Sequence, residues 1–117
     1  SDVCSSDLPE TKLAFSAAGC PCLGVEAGVT SVVVCGLETH VCIANTVLDL
    51  LARGTPVFLP VDAVAARHAI DHDTAIRRLE GAGAIPTTTE AILFEWCRTA
   101  EHPAFKAVQA LVKEPRS

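Results

Sequence analysis

The run VVVCGLETHVCIANT, Val32 to Thr46, puts a cysteine in the first turn of an expected helix directly after an apolar strand. In open α/β sheets, ligands bind at the carboxyl ends of strands, which is where such a turn sits. With Thr39 read as the N-cap, Cys42 falls at about the third helical position. Unpaired backbone N–H groups and the helix dipole there favour a thiolate, and the same N–H groups can hold a developing oxyanion. A free cysteine in that place can equally be a small buried hydrophobe, and position alone leaves both readings open.

The other candidates carry weaker signals. His40, two residues before Cys42, is read either as lining the same pocket or as helix-start polarity. Cys20 and Cys22 flank one proline, which is neither the two-residue spacer of a thioredoxin motif nor half of a zinc-ribbon ligand set. Packing or exposed thiols are the reading, and a redox role would need a reversible disulfide between them. His68 and His72 are four apart, but a break between loop and helix is expected near Asp71, so their faces diverge and no metal is assigned. Cys35, at the end of the strand, and Cys97, in an apolar helical pattern, are expected in the core.

The elements that must position Cys42 alternate strand and helix, which predicts βα units and a parallel sheet. Ser31 to Gly36 reads as one strand buried on both faces. Val41 to Arg53 reads as a helix with Ile43, Val47, Leu50 and Leu51 on one side and Gly54 as its stop. Pro56 to Val61 is a second strand, followed by the loop DAVAAR. Asp71 caps a helix reaching Gly81, Ala84 to Pro86 is a short third strand, and Thr87 with Glu90 has capping-box spacing for a helix to about Arg98. His102 and Pro103 open a last helix with Phe105, Val108, Leu111 and Val112 on its apolar face.

Composition narrows the function. The 117 residues allow one core, and 14 acidic against 9 basic residues give a net charge of −5. A nucleic-acid backbone needs a basic stripe, so a small molecule is the expected partner. No apolar run approaches the roughly 20 residues of a membrane span, and no signal peptide is recognised, so no membrane association is expected and the cytoplasm is the default compartment. Six cysteines in so regular an apolar pattern are read as reduced thiols. Residues 1–8, SDVCSSDL, fit no periodicity and match the translation of a common sequencing adapter, so they are read as a non-native scar, with 9–117 as the domain.

Strand, then CGLETHVCIANT, then LDLLARG resembles the nucleophile segment of isochorismatase-like hydrolases. PETKLAFSA is similar to that family's Lys-x-x-Phe-Ser element, and DAVAAR, GAGAIPTTTEAILFE and HPAFKAVQALVKE to its later blocks, in the branch of the isochorismatase domain-containing proteins. The resemblance runs from Pro9 to Pro115. It implies a Rossmann-like three-layer α/β/α domain of which this chain holds the second half.

The resemblance also implies an Asp-Lys-Cys triad. Its lysine falls on Lys12 and its cysteine on Cys42, whereas its aspartate lies upstream of everything here. A non-proline cis peptide is implied between Leu37 and Glu38, with the backbone N–H groups of Glu38 and Cys42 as oxyanion hole. Cysteine at the nucleophile position favours amide or acyl hydrolysis through a thioester, with no cofactor, in a homo-oligomer when full-length. A non-catalytic binding or assembly subunit that keeps the fold is the alternative. The chain as given, with its central strand bared and its aspartate absent, is expected to be inactive and poorly soluble.

Overall fold

The structure is a computed structural model and describes Ser16 and residues 30–115. In chain order come β1 (Val32–Val33), β2 (Gly36–Leu37), a π-helical turn (Thr39–Ile43) and α1 (Ala44–Ala52). β3 (Val57–Pro60), β4 (Val64–Ala65), α2 (Ala69–Gly81), β5 (Ile85–Thr87), α3 (Thr89–Cys97) and α4 (Phe105–Val112) follow. β3 is flanked by β1 and β5, all parallel, and β2 pairs in parallel with β4. Parallel neighbours need a crossover. α1 carries the chain from β1 to β3, and α2 carries it from β3 to β5.

Alternation along the strands sorts the layers. Val34, Val57 and Leu59 join Ile43, Val47 and Leu50 of the turn and α1, and Leu79 of α2, in the main core. Val33 and Phe58, one residue out of phase, face the other way, where they line a cavity of about 320 Å3 with Ile92 and Trp96 of α3. α4 lies against α3, with the rings of Phe94 and Phe105 5.9 Å apart. Helices therefore cover both faces of a parallel sheet, the α/β/α architecture expected from the sequence.

Several elements depart from expectation, each for a local reason. Ser31 to Gly36 is not one strand buried on both faces: Val32 and Val33 are half-buried and the chain breaks into β1 and β2. Gly36, at φ 128°, redirects it so that the Gly36 N–H donates to the Ala63 carbonyl at 3.0 Å. A side chain rarely adopts that φ. The expected loop DAVAAR consequently contains β4. Cys35, at the break, is exposed rather than in the core, whereas Cys97 is buried as expected.

Helix ends differ in the same local way. α1 stops at Gly54, at φ 80°, as expected: the Gly54 N–H donates to Leu51 and the Thr55 N–H to Leu50, the paired bonds of a Schellman end. His68, not Asp71, is the N-cap of α2, and Asp71 lies in its first turn. Thr88, not Thr87, caps α3, its hydroxyl accepting from the Ala91 N–H at 3.2 Å. Thr87 is committed to the sheet, where its carbonyl accepts from Val61 at 2.9 Å. α4 starts at Phe105, later than His102 and Pro103, and of its expected apolar face Val108 is buried while Leu111 is exposed.

Candidate functional site

One short parallel pairing, β2 with β4, brings the chain to the Cys42 segment. Gly36 pairs with Val64 and Leu37 with Ala65, and the Leu37–Glu38 peptide that follows is cis. That is the bond the sequence resemblance implies. The Glu38 carbonyl then accepts from Val41 and from Ile43, each at 3.1 Å. The second of these bonds spans five residues and makes the turn π-helical, a wider winding that recurs at functional sites. Cys42 is half-buried within it.

Thr39 does not cap this helix. Glu38 holds the N-cap position without a side-chain cap bond, and Thr39 is fully buried inside the turn. A threonine ahead of an apolar helix reads as a cap in sequence, but burial of its hydroxyl demands a partner. Nδ1 of His72 supplies one at 2.8 Å from Thr39 Oγ1.

The neighbours of Thr39 are held by the same stretch of chain. Glu38 Oε1 accepts from the Arg67 N–H at 3.1 Å and its Oε2 from the Arg67 Nε at 3.3 Å. His40 Nε2 faces Asp71 Oδ2 at 3.7 Å, and its Nδ1 is buried with no hydrogen-bond partner. Arg67 and Asp71 carry no site signal in the sequence, and His72 enters there only beside His68 as a doubtful metal pair. The available signal was a polar run, RHAIDHD, placed just past a strand where loops of a parallel sheet gather.

Of the two readings of His40, pocket lining or helix-start polarity, the structure shows its surroundings only. His40 lines a cavity of about 130 Å3 against Asp71, Thr74 and Arg78 of α2, which Cys42 does not line. Nδ1 of His72 is engaged with Thr39, and no group of three potential metal ligands occurs among the described residues. Lys12, Cys20, Cys22 and residues 1–8 lie outside the described residues. Of the carboxylates in contact with the turn, Glu38 is bonded to Arg67 and Asp71 faces His40. No helix among the described residues is long and apolar enough to cross a membrane.

Comparison with known proteins is consistent with this geometry. The family model for the isochorismatase domain matches residues 14–91. Isochorismatase domain-containing protein 2A of Mus musculus is 45% identical over 85 residues, which cover 73% of this chain and 41% of the relative. Isochorismatase domain-containing protein 2 of Macaca fascicularis is 40% identical over 111 residues, 92% of this chain and 53% of the relative. The chain thus spans about half, or less, of the length of these relatives. Among solved structures, the MAR1 ribonuclease from Caenorhabditis elegans superposes with a TM-score of 0.81 at 38% identity, over 91% of this chain and 59% of that one. The ycaC gene product of Escherichia coli, described as an octameric hydrolase of unknown specificity, gives a TM-score of 0.66 at 27% identity, over 73% and 41%.

Proposed function

This chain belongs to the isochorismatase domain family, and on that premise we propose that it is the nucleophile-bearing part of a cysteine hydrolase acting on a small amide or acyl compound. The observation that carries the reading is the seat of Cys42, half-buried in a π-helical turn at the carboxyl end of a parallel pairing. The Cys42 thiolate attacks the carbonyl carbon, the amine or alcohol leaves, and water hydrolyses the resulting thioester.

Backbone N–H groups of Glu38 and Cys42 receive the oxyanion. Lys12 supplies positive charge that favours the thiolate. The proton is taken and returned by the aspartate that the resemblance places upstream, outside the described residues. No metal or cofactor enters this scheme. A homo-oligomeric assembly is supported by the octameric ycaC product, and a reduced thiol fits a cytoplasmic setting. The nematode neighbour is named a ribonuclease, but a net charge of −5 offers little to an RNA backbone.

The test is Cys42→Ala, made at the equivalent position of a full-length relative, against a panel of small amides, esters and labelled RNA. Loss of amide or ester hydrolysis by more than the factor of about 10²–10⁴ usual for one acid–base group is expected, since the covalent route disappears. A thioester adduct on Cys42 should be trapped by mass spectrometry. Near-normal turnover in the variant removes Cys42 from the mechanism, and ligand binding without any turnover in the full-length relative favours a binding subunit.

A further inference from the structure

Three consecutive residues of the Cys42 turn are each held by one short stretch of chain: Glu38 by Arg67, Thr39 by His72 and His40 by Asp71. Just upstream the same two stretches are joined by backbone, Gly36 with Val64 and Leu37 with Ala65. The segment before the nucleophile is therefore fastened along its length to the segment that enters α2. We propose that Arg67, Asp71 and His72 are positioning residues that fix the geometry of the Cys42 turn, a role that rests on Cys42 being the nucleophile.

The three contacts are unequal. Arg67 is 81% exposed at its side chain, so its ion pair with Glu38 contributes little beyond the bond from its backbone N–H. Asp71 meets His40 at 3.7 Å and is 43% exposed at its side chain, a looser hold. The Thr39–His72 bond is short, and Thr39 is wholly out of water. It carries most of the constraint, because a buried hydroxyl without its partner is costly.

A π-helical turn makes this support consequential. Its bond from Ile43 to the Glu38 carbonyl spans five residues, a wide winding found mostly as single turns, so side-chain contacts from α2 help to set where its backbone N–H groups point. Those groups must converge on the sulfur and on the developing oxyanion at the same time. Loosening the support scatters them and slows attack by the thiol without removing any group that touches the substrate.

The experiment compares wild-type chain with His72→Leu, His72→Asn and Asp71→Asn. Two quantities are read: amide hydrogen exchange over residues 38–45, and the rate of Cys42 alkylation by iodoacetamide, resolved by peptide against the exposed Cys35. His72→Leu should speed exchange of the turn by about fivefold, the loss of one neutral hydrogen bond, and slow Cys42 alkylation by a similar factor. Asn presents an amide atom close to where Nδ1 stands, so His72→Asn should restore both. Asp71→Asn should give a smaller change of the same sign, and it remains informative if His72→Leu does not fold.

Unchanged exchange in both His72→Leu and Asp71→Asn overturns the proposal. So does faster exchange with no change at Cys42. Retained hydrolysis in Cys42→Ala instead removes the nucleophile and leaves the exchange result standing, so the two failures are read separately.

Discussion

The hydroxyl of Thr39, with no exposed surface, lies 2.8 Å from Nδ1 of His72 and ties the turn that holds Cys42 to the first turn of α2. The bond crosses 33 positions of sequence. It is therefore a tertiary constraint on the site and not a local cap.

Thr39→Val keeps the shape of the side chain and removes the hydroxyl, leaving Nδ1 of the half-buried His72 without this partner. A destabilisation of about 1 kcal/mol is expected, the net worth of one neutral hydrogen bond, since His72 is only half-buried. It is read as a shift in the urea midpoint at constant slope. A negligible shift would mean that water reaches His72 and replaces the hydroxyl.

The row Thr87, Thr88, Thr89 offers three candidate caps for α3, and only Thr88 serves, accepting from Ala91. Thr88→Ala should cost about 1 kcal/mol, and within a range of about 0.5–2. Thr87→Ala keeps the backbone carbonyl that bonds Val61 and should cost about 0.5 kcal/mol or less at a half-buried strand end. Equal losses from the two variants, measured by denaturant unfolding, would return the cap to Thr87.

What was legible in the sequence was what apolar periodicity governs. The runs around Val33 and Phe58, the stop at Gly54 and the burial of Cys97 follow from local pattern, since each depends on residues within a turn or a strand. Cys35 lies outside the core because Gly36 sends the chain to pair with a different strand, of which the apolar run leading to it gives no sign. The role of Thr39 is not legible, because a capping threonine and a threonine bonded to a distant histidine have the same local sequence. The capping box at Thr87 failed by one residue, as the ladder bond that holds Thr87 in β5 is set by the sheet. The place of Cys42 after a strand is legible locally, but Arg67, Asp71 and His72 lie 29 to 33 positions from the residues they hold, and no local spacing reaches them.

The described cysteines give a last test that joins fold to chemistry. Cys35 is exposed, Cys42 is half-buried, and Cys97, 6% exposed, closes the end of α3. Exposure alone ranks their labelling by a thiol reagent in that order. Cys97 reacts only through opening of the structure, whose free energy runs from near zero at frayed ends to the global value. If α3 opens only with the whole domain, at about 5 kcal/mol, Cys97 should be slower than Cys35 by about 10³ or more. Equal rates for the two would show that the end of α3 frays. Cys42 should break the ranking: an activated nucleophile reacts before Cys35 in spite of its smaller exposure. Labelling of Cys42 at a rate between those of the other two would leave the turn as packing and remove its role in activating the thiol.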